Sequence, residues 1–519
     1  MSEPINDHMG KIARGTGIAI LGMSVGLLLQ FVVRLVVARY GLDANYGVFS
    51  LAWVILNFCT MLACLGLHEG ITRHIAYQRG RGESPKVRGA IAVSLQLTIV
   101  ASIIIGLALF LGAQVIALNV LHTADLVLPL KIFAVGVPFF ALMNTLVAVF
   151  RGFDRIEPQV YFQYILLNVL FLVLLVAAVL LNMPFVTVFY AYLAALVVTF
   201  LALLAYTAKK LPSPLSFTDR LCAAGIMGEL LHFSLPLLGT ALLSVMILSM
   251  DTLILGYFKT PEVVGLYNAA YPLAFFISIP LYAAALIYTP IATGLYAQHS
   301  IAELRRSFTV LNKWGASLTL PFFLVLFLFP EAVLGLLFGP EYLVAAPALR
   351  ILSIGFIVNN LFGPNQSIML AYGDSRFIMW AVLLTAVINV IMNIILIPPL
   401  GIVGAAIASA VSLVLAKAIW CIRTYLISGA QPLSKKLVKP VMASAVLALL
   451  FKVTLGNLFT VTLWMLPLLF VLYYVIYGLV VMLTRSFDQE DIALLLEIEK
   501  RLGINAEPVK KIIRKFIRL

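Results

Sequence analysis

Fourteen apolar runs, each long enough to cross a bilayer as a helix, succeed one another along this chain, and no soluble fold can bury them all. They lie near residues 15–38, 46–68, 90–112, 127–150, 160–181, 184–206, 229–256, 263–291, 308–330, 343–370, 377–397, 401–422, 437–455 and 462–484. About 20 consecutive apolar residues suffice to span the hydrocarbon layer. Helix is the conformation expected there, because a backbone N–H or C=O left unpaired in lipid is too costly to persist. A β-barrel would show short alternating segments instead, and none occur. Composition agrees: 63% of residues are hydrophobic and 11% charged, against about 45–50% and 25% in soluble domains. The expectation is an all-α integral membrane protein of about 14 transmembrane helices.

Charge placement orients these helices, since short cytoplasmic loops carry an excess of Lys and Arg. With the N-terminus in the cytoplasm, 28 of the 35 basic residues fall on the cytoplasmic side, including Arg73, Arg79, Arg81, Lys86, Arg88, Lys209, Lys210, Arg305 and Arg306. Both termini are then cytoplasmic. The net charge of +13 follows largely from this topology, so nucleic acid is not an expected partner. The first run lacks a convincing signal-peptide cleavage pattern and reads as a retained helix. Cys59, Cys64, Cys222 and Cys421 match no metal or disulfide spacing, and the six histidines form no cluster. No GxxxxGK[ST] loop occurs, which argues against ATP use.

An internal repeat organises the runs. Leu130-Lys131-Ile132-Phe133-Ala134-Val135-Gly136 reads almost like Leu349-Arg350-Ile351-Leu352-Ser353-Ile354-Gly355, at an offset of 219 residues. Gly47-Val48-Phe49-Ser50-Leu51-Ala52 matches Gly265-Leu266-Tyr267-Asn268-Ala269-Ala270 at an offset of 218. Such repeats characterise transporters, with substrate held between the copies. An even number of spans per copy predicts a parallel repeat: an N-lobe over 1–208, a linker over 209–228 and a C-lobe over 229–430. Residues 431–484 add an appended helical pair. Residues 485–519 form a basic tail, whose amphipathic pattern from Val509 suits an anionic leaflet.

Polar residues inside apolar runs are the candidate site, because a charge at the bilayer centre costs about 2.5–3.5 kcal/mol even on lenient scales. Arg34, Lys131, Arg350 and Lys417 point to a cationic cleft for an anionic substrate. Snorkelling to the nearer interface is the competing reading, and it is equally good for Arg34 and Lys131. Asp251 is the one acid well inside a run, a candidate for ion coupling or for pairing with Arg34. Glu69 and Arg73 are placed to gate the inner end of the second span. Asn359, Asn360, Asn389 and Asn393 either line a sugar path or bond across helices.

The segments Arg34-Leu35-Val36-Val37-Ala38-Arg39-Tyr40-Gly41, Tyr46-Gly47-Val48-Phe49, Met250-Asp251-Thr252-Leu253-Ile254-Leu255-Gly256-Tyr257-Phe258, Val264 to Ala270 and Gly401-Ile402-Val403-Gly404-Ala405-Ala406 resemble, in that order along the chain, the polysaccharide transporter family. This family holds the Wzx-type flippases of the multidrug/oligosaccharidyl-lipid/polysaccharide (MOP) superfamily. The resemblance covers roughly residues 10–484 and implies a two-lobed transporter that moves undecaprenyl- or dolichyl-linked sugars to the outer leaflet. It implies the lipid-linked glycan, membrane lipids and glycan-assembly proteins as partners. No cofactor is expected. The membrane potential can drive export of an anion, gaining about 2.3 kcal/mol per charge per 100 mV, with Na+ or H+ exchange as the alternative. A cation-coupled multidrug antiporter of the same superfamily would carry more intramembrane acids. A glycan polymerase would need acids or a folded outer loop.

Overall fold

The computed structural model describes residues 3–210, 223–432, 438–458 and 465–483, nearly all helical and without a strand among them. The basic tail over 485–519 and residues 211–222, 433–437 and 459–464 lie outside the described residues. Two compact units emerge, residues 1–265 and 266–519. The first contains α1 (Glu3–Ala63), α2 (Leu67–Gly80), α3 (Ser84–Val115), α4 (Val127–Gly152), α5 (Leu167–Leu180), α6 (Thr187–Lys210), α7 (Ala223–Phe258) and the opening turn of α8 (Pro261–Phe275). The second continues through α9 (Ile279–Ala297), α10 (Ile301–Leu328), α11 (Pro330–Leu337), α12 (Ala346–Leu361), α13 (Asn365–Ala371), α14 (Ser375–Leu400), α15 (Ile402–Ser428), α16 (Val438–Leu458) and α17 (Met465–Leu483).

Eleven stretches among the described residues are long and apolar enough to cross a membrane. The first, Gly22–Gly80, contains two of the expected crossings, joined where Leu42 leaves helical geometry at φ 58° and ψ −170°. The last two expected runs fall on α16 and α17, whose apolar segments Lys439–Leu450 and Val471–Val480 are shorter than the eleven, so every expected run is largely helical over its described residues. The run over 343–370 departs from a single helix. It divides into α12 and α13 because Gly363 adopts φ +73° and Pro364 has no N–H to continue the ladder.

Lipid tails are as apolar as leucine, so these helices associate through close packing and polar contacts rather than through the hydrophobic effect. In the first unit α4 packs against α1, α2, α3 and α6. At its centre Phe133 meets Phe189 and Tyr192 at centroid distances of 5.4 and 5.5 Å, and Trp53 meets Tyr192 edge-on at 4.9 Å. Such pairs contribute about 0.5–1.5 kcal/mol each beyond area. The Thr98 and Thr145 hydroxyls bond across α3 and α4 at 3.1 Å. In the second unit α15 packs on α12 and α14, with Gly355 so close to Ala410 that a Cβ would sit 2.6 Å from its Cα. The appended pair joins this unit: α16 packs on α10, and the Tyr474 hydroxyl of α17 donates to the Leu318 carbonyl at 2.9 Å.

The two glycines aligned by the 218-residue offset meet each other within the first unit. A Cβ on Gly47 would lie 1.8 Å from the Pro261 oxygen, and one on Gly265 would lie 2.0 Å from the Asp43 oxygen. The contacts are reciprocal, since Pro261 is offset from Asp43 by the same interval as Gly265 from Gly47. Each glycine is needed because its neighbour is a backbone carbonyl that cannot rotate away.

Candidate functional site

Lys131 and Arg350 hold matching places, each in the second turn of its helix, α4 and α12. Their partners differ. The Lys131 ammonium sits 5.6 Å from the Phe110 ring centroid. Arg350 Nη2 donates to both Glu331 carboxylate oxygens, at 2.7 and 3.0 Å, and its Nε donates to the Phe327 carbonyl at 3.3 Å. With side chains 41% and 49% exposed, the Arg350–Glu331 pair is worth no more than about 1 kcal/mol. A cation–π contact such as that of the half-buried Lys131 is worth about 0.5–2 kcal/mol. A phosphate would offer Lys131 the charge-assisted hydrogen bonds that the Phe110 ring cannot, and would compete with the Glu331 carboxylate for Arg350 with bonds of the same kind.

Arg34 is half-buried on α1, close enough to the buried Tyr46 hydroxyl to act on it electrostatically. Asp251, 3% exposed, lies inside α7. At the far end of the unit Glu69, in the first turn of α2, pairs with Arg151 at 3.4 Å, and Arg151 also donates to the His68 carbonyl at 3.0 Å. The Arg73 guanidinium lies 4.2 Å from the Phe233 ring centroid of α7. Glu69 and Arg73 thus tie α2 to α4 and α7.

In the second unit the amides fall into two groups. Asn393 Nδ2 donates to Asn389 Oδ1 at 3.0 Å, one turn apart on α14. Asn360, buried at the end of α12, donates to the Ile277 carbonyl, whereas its neighbour Asn359 is half-buried. Lys417 is 3% exposed on α15, and its ammonium donates to the Gly363 carbonyl at the α12–α13 break. Arg34, Lys131, Asp251, Glu69 and Arg73 therefore belong to the first unit, and Arg350, Lys417 and the four asparagines to the second.

Sequence reasoning passed over three features. The first is the break itself, which the dipeptide Gly363-Pro364 signals. The second is Asn312, whose Nδ2 donates to the Leu361 carbonyl at 2.7 Å and to that of Pro432 at 2.5 Å. The third is a π-helical turn, Gln159–Leu166, where Gln163 donates to Asn144 Oδ1 at 2.7 Å. Such turns recur at functional sites. No periodicity marks them.

Comparison with known proteins bears on this geometry. The family model described as polysaccharide biosynthesis protein matches residues 12–296, and the MatE model matches residues 236–395. The teichuronic acid biosynthesis protein TuaB of Bacillus subtilis is 30% identical over 127 residues, 24% of this chain and 26% of that protein. The "Probable low-salt glycan biosynthesis flippase Agl15" of Haloferax volcanii is 27% identical over 163 residues, 31% of this chain and 34% of that protein. The chain thus spans about a third or less of the curated relatives it matches. An inward-facing MATE-family multidrug resistance transporter of the MOP superfamily shares the fold at a TM-score of 0.66 and 17% identity, covering 79% of this chain and 98% of that one. The lipid II flippase MurJ does so at 0.64 and 12%, covering 90% and 97%.

Proposed function

Because the chain belongs to the polysaccharide biosynthesis protein family, we propose that it is a flippase, carrying an oligosaccharide on a polyprenyl or dolichyl phosphate or pyrophosphate from the cytoplasmic to the outer leaflet by alternating access. The observation that carries the anionic substrate is the pair of repeat-aligned cations, Lys131 and Arg350, each half-buried and held by weak partners. Arg34 is a further half-buried cation of the first unit. A phosphate stripped of water needs charge-assisted hydrogen bonds in its place, and these side chains supply them. The amides Asn359, Asn360, Asn389 and Asn393 offer hydrogen bonds to the sugars, and Glu69 with Arg73 closes the cytoplasmic end. Both termini face the cytoplasm. Membrane lipids and glycan-assembly proteins are its partners.

Export of an anion is driven by an inside-negative potential, with Na+ or H+ exchange through Asp251 as the coupled alternative. The test uses cells whose only flippase is this chain and reads glycan on the outer leaflet, normalised to the amount of protein in the membrane. Lys131→Glu and Arg350→Glu should each abolish export at wild-type abundance, and Arg350→Lys should recover part because the planar fork is lost. Full export by Arg350→Glu would overturn the cationic path.

A further inference from the structure

The break between α12 and α13 gathers more buried oxygen than its helices need. Unwound carbonyls at a membrane helix break are where transporters of several folds seat a free cation. Here the carbonyl of Gly363 is met instead by the Lys417 ammonium, reaching in from α15. Around the same turn stand two buried asparagines whose amide orientation is decided by their donors. Asn312, 1% exposed, spends both N–H bonds of its Nδ2 on the Leu361 and Pro432 carbonyls, and Asn365, fully buried, donates to the Phe362 carbonyl at 3.0 Å. Turning either amide over would set oxygen against oxygen. Their Oδ1 atoms therefore point away from those carbonyls, and among the described residues neither has a hydrogen-bond donor. A Cβ built on Gly363 would lie 3.0 Å from Asn312 Oδ1, which puts that oxygen at the break itself.

An ammonium carries three N–H donors and no acceptor, and one of the three is engaged by Gly363. We propose that Lys417 is a tethered cation, seated by its ammonium in an oxygen-lined site at the α12–α13 break and doing there what a free monovalent cation does in other broken helices. The chemistry of the lining decides between this role and the anion-binding role expected for Lys417. A phosphate brought to this ammonium would meet the Gly363 carbonyl that already accepts from it, with Asn312 Oδ1 at the same break, both of them acceptors that repel it. A cation is what such a lining accepts. Asn312 extends the consequence, because its two bonds join the end of α12 to the linker that leads to α16. Seating the ammonium thus holds the break and the entry to the appended pair in one arrangement. The site lies past the end of α12, whose beginning carries Arg350, and its test reads stability and contact, so it stands or falls independently of the flippase reading.

The full-length chain in detergent carries the first test. Lys417→Ala should lower the melting temperature by several degrees and leave a space shaped for a primary ammonium. Methylammonium or n-butylammonium chloride should restore at least half of the loss while leaving the wild type unmoved. Tetramethylammonium, which has no N–H, and sodium phosphate should restore nothing. Lys417→Met, which refills the volume without a donor, should be as destabilised as Lys417→Ala. Rescue by phosphate rather than by amines, or a Lys417→Met protein as stable as the wild type, would overturn the proposal. A measurement on the wild-type chain does not depend on any variant folding. With 15N-lysine and 13C′-glycine labels in lipid bilayers, a dipolar contact between one lysine Nζ and one glycine carbonyl should appear and should not change on adding inorganic pyrophosphate. Absence of that contact, or its loss with pyrophosphate, would return Lys417 to the anion path.

Discussion

Replacing Gly47 with alanine puts a methyl group where the Pro261 carbonyl already stands. The new Cβ would lie 1.8 Å from that oxygen and 2.6 Å from its carbon. The obstacle is backbone, so relief needs the two segments to separate by more than an ångström. Overpacking costs typically about 1–3 kcal/mol, and a fixed carbonyl places this case near the top of the range. Alanine is a better helix former than glycine by about 1 kcal/mol, which leaves a net loss of about 2 kcal/mol. Gly265→Ala meets the Asp43 oxygen at 2.0 Å and should lose a similar amount. Because the two contacts are reciprocal, one separation relieves both, and the double variant should lose clearly less than the sum. Gly239→Ala on α7, with nothing within 4 Å of the added carbon, should be neutral or stabilising. At roughly 2–4 °C per kcal/mol for large domains, each single variant should melt roughly 4–8 °C below wild type in a fluorescence-detected scan of protein in detergent. If Gly47→Ala melts with Gly239→Ala, or if the double variant is strictly additive, the reciprocal crossing is refuted.

Three further outcomes follow from the structure. Leu42, at φ 58° and ψ −170°, holds a conformation that glycine tolerates and leucine does not, so Leu42→Gly should raise stability by about 1 kcal/mol, and a loss in thermal melting would show that its side chain matters more than its backbone. Glu331→Gln should shift stability by less than about 1 kcal/mol because the pair with Arg350 is exposed, and a loss of several degrees on melting would mean that the pair is buried in the membrane. After replacement of the four native cysteines, a cysteine at Lys259 should react with an impermeant maleimide added to sealed cells, whereas one at Arg81 should not, and the reverse pattern would invert the topology.

Much of the fold was legible because the medium leaves few choices. Apolar runs of span length must be helical in lipid, and the described runs are. The repeat was legible at Gly47 and Gly265, whose need for glycine shows in the sequence as identity and in the structure as a carbonyl a van der Waals radius away. Boundaries were less so. The kink in α1 falls on Leu42, one residue after Gly41, where a lone glycine inside an apolar pattern is a weak signal, and the run over 343–370 hid its break because Gly363-Pro364 is one of several interruptions, with Pro347, Arg350 and Asn359-Asn360, that leave its overall hydropathy high. The candidate site was legible only as a list of charged and amide residues within apolar runs, since a charge in lipid must have a reason. What the residues touch was not. Hydropathy does not distinguish Lys131, facing a phenyl ring, from Lys417, facing a carbonyl, because partner choice depends on how distant helices pack. Asn312 was invisible for the same reason: it reads as one more amide until the Leu361 and Pro432 carbonyls are brought to it.

The measurement that bears most directly on transport is reconstitution of the purified full-length chain in proteoliposomes. These would carry a polyprenyl-pyrophosphate-linked oligosaccharide and hold an imposed membrane potential, with lectin accessibility of the glycan read on each side. The glycan should cross towards the positive side, collapse of the potential should slow it, and Lys131→Glu or Arg350→Glu should stop it. A chain that leaves the glycan in place but expels a cationic dye in exchange for Na+ or H+ is a multidrug antiporter and not a flippase.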